Sequence, residues 1–346
     1  MTEGADVDVS FLVPTLNRGR YVLRAVGSCL RAAEVAGLHV EVIVVDSRSD
    51  DGSWEALAEA YDMDVRVVLR QNDRDVGPTG SWLEAARLAR GRLVTFVWSD
   101  DYVTPEFLQV LAVAVDGVGT HLALGDGIVR EVDCEDGFAE LGPTRRVPRD
   151  AVLQAYLGRP QPGVTAPVSP ACALFSRAAL DDWTATLEVR CRESPLRERL
   201  MWRSAIGPDL LLFAAALGVQ RSDVPVVEGP VVQFSRHAGS ITVGSDPWPL
   251  LAGYWLARVI ALEHGADARL AAGTSSRVRG RLLLLGLKLL VAVPPAPVKG
   301  LDRRATRTAL RAELRRLAAQ GRESVGLRRT AAGALAAFVE ARKHRA

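Results

Sequence analysis

The sequence predicts an α/β fold in which a mostly parallel sheet is flanked by helices and followed by a helical C-terminal extension. Three observations predict it. Short, nearly uninterrupted apolar runs such as VSFLVP (9–14) and VEVIVV (40–45) alternate with segments whose apolar residues recur at helical spacing. Such runs, rather than alternating ones, belong to strands covered on both faces. Each run ends in a polar, turn-rich loop, and beyond residue 249 the pattern is helical throughout.

Taken in order, strand 9–14 ends in PTLNRGR and is followed by a helix over 21–36, with Val22, Ala25, Val26, Cys29 and Leu30 on one face. Strand 40–45 leads through DSRSDDGS into a helix over 54–61. Strand 65–69, the loop RQNDRDVGPTG, a helix over 81–90 and strand 93–98 complete the alternation. Further on, LALGDGIV (122–129) and ACALF (171–175) read as strands either side of a Pro- and Gly-rich loop at 158–170. SRAALDDW reads as a capped helix start, residues 206–217 as an apolar helix with Asp209 in its first turn, and 231–234 as a strand entering SRHAGSIT. The C-terminal helices break at VAVPPAPVKG and again at QGRES. No internal repeat goes beyond the strand-helix alternation.

The chain has 346 residues, 48% hydrophobic and 24% charged, enough for one large domain or two smaller ones. Its formal charge of +2 hides an asymmetry: residues 302–346 hold twelve Lys and Arg against four Asp and Glu, a balance of +8, which leaves −6 for residues 1–301. Lys is nearly absent and Arg abundant throughout, so the basic tail is read as two amphipathic helices with solvated Arg faces, and no nucleic-acid partner is expected. Cys29, Cys134, Cys172 and Cys191 form no C-x-x-C pair, which fits a reducing cytoplasm. The acidic N-terminus has no basic start and long apolar run of a secretory signal, and residues 282–298 are interrupted by Lys288 and three prolines, a poor spanning helix.

The stretch FVWSDD places Asp100 and Asp101 side by side at a strand end. Adjacent carboxylates repel, and either one alone is costly to bury. They could simply be solvated near the start of the next helix. A hard divalent cation, Mg²⁺ or Mn²⁺, is the alternative, because it uses one or two carboxylates while substrate phosphates and water complete its shell. Ligands of parallel sheets gather at the carboxyl ends of the strands, where PTLNR, DSRSDD and SDD all fall.

VSFLVPTLNRGRYVLRAVGSCL, VEVIVVDSRSDDGS, NDRDVGPTGSWLEAARLARGRLVTFVWSDD, GPDLLLFAAALG and VVQFSRHAGSIT follow one another in an order that resembles the family 2 glycosyltransferases of the Rossmann-like GT-A fold, over roughly residues 9–242. The resemblance implies a GT-A domain over 1–245, with a donor half at 8–104 and an acceptor half at 105–245, ahead of a helical region with a basic tail at 246–346. It also implies a metal-dependent, inverting transfer of sugar from a nucleotide donor, UDP-sugar first among several, to an acceptor hydroxyl. Pro14, Thr15, Asn17 and Arg18 would lie against base and ribose, Asp46 and Ser47 beside the nucleobase, and Gly77 in the same nucleotide-sugar site. Asp100 would face ribose and donor sugar, Asp101 would hold the Mn²⁺ or Mg²⁺, and Asp209 would be the base. Ser47 stands where the family often has Asp or Asn, and Pro208 where a Glu often precedes the base.

Plainer readings stand beside these. Asp209 is also a favoured charge in a helix first turn. His237 is a metal or diphosphate contact, or an ordinary loop histidine. Arg236 pairs with a phosphate, or is one of many arginines. Trp82 and Trp98 read as core, and Trp248 as a loop aromatic near the acceptor. The charged stretch RCRESPLRER (190–199) reads as a mobile lid that excludes water. A catalytically silent GT-A domain that binds a nucleotide or partner protein is the competing reading, and a nucleotidyltransferase fits PTLNRGR poorly. The acceptor is a saccharide, small molecule or lipid-linked compound. The C-terminal helices suit packing on the catalytic domain, a homodimer, or peripheral contact with anionic lipid at the inner face of the membrane.

Overall fold

The computed structural model describes residues 6–131, 140–237, 246–268, 270 and 272–320. Cys134, the end of SRHAGSIT, most of QGRES and the second tail helix lie outside the described residues.

Strands β1 (Val9–Thr15), β2 (Val40–Asp46), β3 (Val67–Gln71) and β4 (Leu93–Phe96) alternate with helices α1 (Arg20–Ala36), α2 (Ser53–Tyr61) and α3 (Pro78–Leu88). They pair in parallel in the order β3-β2-β1-β4. Phe11, Val13, Val42 and Val44 enter one core with α1 and α4 (Phe107–Val115). Their neighbours Leu12, Ile43 and Val45 enter a second core on the opposite face. Burial on both faces is why these strands read as continuous apolar runs. β3 starts two residues later than expected, because the Asp64 carboxylate accepts from Arg66 N and sets a turn that leaves Val65 96% exposed. α3 starts three residues earlier, with Pro78 in its first turn after Gly77 at φ +74°.

Beyond β4 the sheet is mixed rather than parallel. β5 (Tyr102–Val103), β6 (Leu122–Glu131), β7 (Thr144–Val147), β8 (Ala173–Ser176) and β9 (Val224–Arg236) extend it in the order β4-β8-β6-β9-β5, with β7 also on β9. Only β6 and β9 pair in parallel there, with a bulge at Asp126. β9 runs thirteen residues, far longer than the expected 231–234.

The second core is covered by α5 (Arg149–Tyr156), α6 (Arg177–Arg190), the single turn α7 (Pro195–Arg197) with a π-helical turn at Glu198–Trp202, and α8 (Pro208–Val219). It continues without a break into α9 (Pro247–Glu263), α10 (Ala272–Val291) and α11 (Arg303–Gln320). Trp255 of α9 donates to Leu282 O, and the absent side chain of Gly286 lets that indole and Leu314 meet on α10. A β-carbon at Gly286 would stand 2.5 Å from the Trp255 ring. Among the described residues no helix is long and apolar enough to cross a membrane.

Two expectations are corrected here. Trp248 is not a loop aromatic: Asp246 caps α9 through Trp248 N, and the indole is buried, donating to Leu289 O at 3.2 Å. Residues 190–199 are not a mobile lid. Arg197 is fully buried and bonded to Glu193, to Glu263 of α9 at 3.0 Å and to Glu313 of α11 at 2.6 Å, which pins the segment to the C-terminal helices.

Candidate active site

The carboxyl ends of β1 and β2 are laced together. Ser47 N donates to Thr15 O, Asn17 N donates to Ser49 Oγ at 2.8 Å, and Asn17 Oδ1 accepts from Asp50 N at 2.9 Å. This holds Asn17 at φ +52°, a left-handed conformation that Asn tolerates better than most residues. Pro14 and Thr15 end β1 beneath this loop, and Arg18 N donates to Ser53 Oγ. Asp46 is fully buried, its carboxylate accepting from Ser49 N and Oγ and from Gln71 Nε2 at 3.0 Å. In this geometry its carboxylate braces the loop after β2. Ser47 Oγ shares a 2.7 Å hydrogen bond with Ser81 Oγ, which also accepts from Asn72.

Gly77 stands at the other rim. Its φ of +74° is one that side-chain-bearing residues rarely adopt, and a β-carbon there would press on Trp202 O at 3.2 Å. Trp202 Nε1 donates to Val76 O and Thr79 Oγ1 to Met201 O, docking the π-helical turn onto the start of α3.

Asp100 and Asp101 follow β4 in a turn closed by Asp101 N to Trp98 O. The Asp100 carboxylate is 3.0 Å from His237 Nε2 and 3.5 Å from Arg18 Nε. His237 stacks on Tyr21, with ring centroids 5.2 Å apart. Arg24 donates to Asp100 O and, at 2.7 Å, to Ser235 Oγ, and its guanidinium lies over the Tyr102 ring. Asp101 is 5% exposed and accepts from Ser235 N at 2.9 Å. Burial first, and the adjacent Asp100 second, push its carboxyl up to about 8. So the structure brings Arg18, Asp100, Asp101 and His237 into one cluster. Arg236 points elsewhere, 3.8 Å from Glu131 with its side chain 60% exposed.

Asp209 occupies the first turn of α8. Gly207, at φ +108°, and Gly253 of α9 let the two helices touch: a β-carbon on Gly207 would lie 2.9 Å from Gly253 O, and one on Gly253 would lie 2.4 Å from Ile206 Cγ2. The crossing brings Tyr254 to Asp209, its hydroxyl donating to Oδ2 at 2.7 Å, while Oδ1 accepts from Leu210 N. Burial pushes the Asp209 carboxyl up to about 6, and the Tyr254 hydrogen bond is the main opposing influence. Trp183 Nε1 donates to Pro208 O, and the Trp183 ring meets Phe96 of β4 edge-on at 5.3 Å. Phe96 and Trp82 in turn pack on Trp98, two residues before Asp100. Asp209 and the Asp100–Asp101 turn are thus braced by one aromatic cluster.

Tyr21, Arg24, Ser235 and Tyr254 were not singled out from the sequence. Arg24 had a legible signal, a long cation among the apolar positions of α1. Tyr254 had none, because its partner is 45 residues away in the chain. Among the described residues no group of three or more His, Cys, Asp or Glu side chains could hold a metal ion. His237 Nε2 is engaged by Asp100, which leaves the two aspartates as the oxygen donors of this cluster.

The model of glycosyl transferase family 2 matches residues 10–184. The chain is similar to the succinoglycan biosynthesis protein ExoO of Rhizobium meliloti (strain 1021), 35% identical over 126 residues, covering 36% of this chain and 35% of that protein. It is also similar to the poly(ribitol-phosphate) β-N-acetylglucosaminyltransferase TarS of Staphylococcus aureus (strain Mu50), 32% identical over 108 residues, 31% of this chain and 18% of TarS. The match thus spans well under half of these curated relatives. A crystal structure of S. aureus TarS 1-349 in complex with UDP superposes with a TM-score of 0.50 at 16% identity, covering 89% of this chain and 88% of that one, a likeness of fold. The fold is the GT-A α/β fold with a helical C-terminal region, and the chain belongs to glycosyl transferase family 2.

Proposed function

We propose that this chain is an inverting glycosyltransferase that moves a sugar from a UDP-sugar to an acceptor hydroxyl, with a divalent cation at Asp101. The observation that carries the reading is the Asp100–Asp101 turn, where a buried carboxyl beside a second one is held in a cage of Arg18, Arg24 and His237. The UDP donor is supported by the complex of TarS with UDP.

The residues present fit Mn²⁺ or Mg²⁺. Burial raises the proton affinity of Asp101, so an incoming cation favours its charged form, and two aspartates without a third protein ligand suit an ion that comes with diphosphate and water. When bound, such an ion neutralises charge that develops on the leaving diphosphate. Asp101 would hold it, with Asp100 beside it. His237 and Arg18 fix the Asp100 carboxylate and add donors on the diphosphate side. The loop of Pro14, Thr15, Asn17, Ser47 and Gly77 cradles the nucleoside, with Asp46 holding its shape from beneath. Asp209 takes the proton of the acceptor hydroxyl as its oxygen attacks the anomeric carbon, a single displacement with inversion. A soluble saccharide is the first acceptor to screen.

Calorimetric titration of the protein with UDP, GDP and UDP-GlcNAc, with and without Mn²⁺, tests the reading. It calls for Mn²⁺-dependent binding of UDP and UDP-GlcNAc. Absence of binding by every nucleotide contradicts it and turns the chain into a silent member of its family.

A further inference from the structure

The segment after residue 245 divides from the rest by sequence pattern, yet α9 reaches directly into the site. Tyr254 donates to Asp209 Oδ2 at 2.7 Å, and the contact is built in. Two glycines, Gly207 and Gly253, permit the close crossing of α8 and α9 that sets it, and a β-carbon on either would collide with the other helix or the residue preceding it. Asp209 is only 8% exposed, so one fixed donor changes its behaviour far more than it would in water.

We propose that Tyr254, supplied by C-terminal helix α9, is the positioning residue of the Asp209 base; this rests on the reading of Asp209 given above. Tyr254 and Leu210 N each occupy one lone pair, on opposite carboxylate oxygens. The backbone at Gly207 and Asp209 adds further hydrogen bonds to the carboxylate, so Tyr254 is its side-chain donor beside backbone ones. In the transfer step the acceptor oxygen bonds to the anomeric carbon, and the bond from that carbon to the diphosphate oxygen breaks, its electron pair leaving with the nucleoside diphosphate. The acceptor's proton passes to Asp209. Tyr254 keeps its own proton and holds the carboxylate charged and aimed.

The other groups facing Asp209 do not duplicate this role. Tyr156 of α5 is near enough to feel its charge, but the Tyr156 hydroxyl donates to Pro167 O. Arg258 of α9 lies within electrostatic reach of Asp209, with Arg281 of α10 beside it, but donates to the backbone carbonyls of Tyr156 and Tyr254. Trp183 of α6 bonds the Pro208 carbonyl. The carboxylate therefore depends on one side-chain hydroxyl.

The test compares full-length wild type, Tyr254→Phe and Asp209→Asn, the first variant losing one oxygen and keeping the ring that packs α9. Carboxyl-¹³C aspartate labelling follows each aspartate by NMR from pH 5 to 9, and the resonance missing in Asp209→Asn identifies Asp209. UDP release from UDP-GlcNAc, with water as acceptor, is measured over the same range at saturating donor. The expected result in Tyr254→Phe is an upward move of the Asp209 midpoint by about one to two pH units, the size of one hydrogen bond to a charged group. The acidic limb of UDP release moves with it, and the rate recovers towards wild type at high pH. A midpoint unmoved in Tyr254→Phe, or a rate lowered equally at every pH, overturns the proposal and leaves Tyr254 a packing residue. Wild-type UDP release by Asp209→Asn instead overturns the base reading itself, which the NMR midpoint distinguishes from failure of the Tyr254 link.

Discussion

Asp101 and Asp209 are both buried carboxyls with raised proton affinity, but their neighbours differ. Asp101 is pushed up to about 8 by burial and by a second carboxylate, so incoming positive charge favours its anionic form. Asp209 is pushed to about 6 by burial, and a tyrosine hydroxyl opposes the shift, so at neutral pH it is largely charged and able to accept a proton. Burial alone does not assign a role to a carboxylate. The neighbour that answers its charge does: in the reading proposed above, a cation for one and a neutral hydroxyl for the other.

The largest expected effect on that contrast comes from Asp209→Asn, which keeps shape but removes the base. Transfer falls by about 10²-fold or more, while UDP affinity stays at wild type. A variant that transfers normally would place the base elsewhere.

Next comes the frame behind both sites. Arg197 is fully buried among Glu193, Glu263 and Glu313, and its segment docks the π-helical turn against the start of α3. Arg197→Met strands Glu263 and Glu313 as buried charges and lowers stability by about 3 kcal/mol or more. Urea unfolding followed by circular dichroism measures it, and an unchanged midpoint would mean that these carboxyls neutralise without loss.

A smaller effect is expected from His237→Ala, which removes one of the partners of Asp100. Affinity for UDP with Mn²⁺ drops by about tenfold, the value of one hydrogen bond to a charged group. Loss of all Mn²⁺-dependent binding would instead make His237 a direct ligand of the ion.

The smallest is a shift of stability with pH. The folded-state pKa of Asp209, about 6, lies above its ordinary value of 3.8, so the folded protein holds that proton more tightly. The stability this contributes is complete below about pH 4 and lost as pH rises through about 6. Asp209→Asn, free of this loss, therefore gains melting temperature relative to wild type between pH 4 and 6.5. A constant difference across that range would contradict the burial of a charged Asp209.

The β1–β4 half of the sheet was legible because its physics is local. β1, β2 and β4 are buried on both faces and read as apolar runs, and their polar loops necessarily meet at one end of a parallel sheet. Asp100, Asp101 and the loop at Asn17 were found that way. The rest depends on partners distant in sequence. β9 carries Pro225, Gly229 and Pro230, which break the strand pattern, yet it pairs with β5, β6 and β7: Gly229 and Pro230 fall where its register with β6 shifts, and Pro225 sits opposite Arg146 of β7. Arg197 was read as part of a mobile lid, since nothing nearby in sequence announces Glu263 and Glu313. Asp46 was placed beside the nucleobase from the family pattern, and nothing in the sequence announces the hydrogen bonds it accepts from Ser49 and Gln71. Tyr254 sits in an apolar helix and acquires meaning only where α9 crosses α8.

The most direct test of the division of labour is UDP binding, with and without Mn²⁺, by Asp101→Asn and Asp209→Asn side by side. The account predicts that Asp101→Asn loses the Mn²⁺-dependent part of the affinity while Asp209→Asn binds as wild type does. The reverse pattern, or equal loss in both, would contradict it.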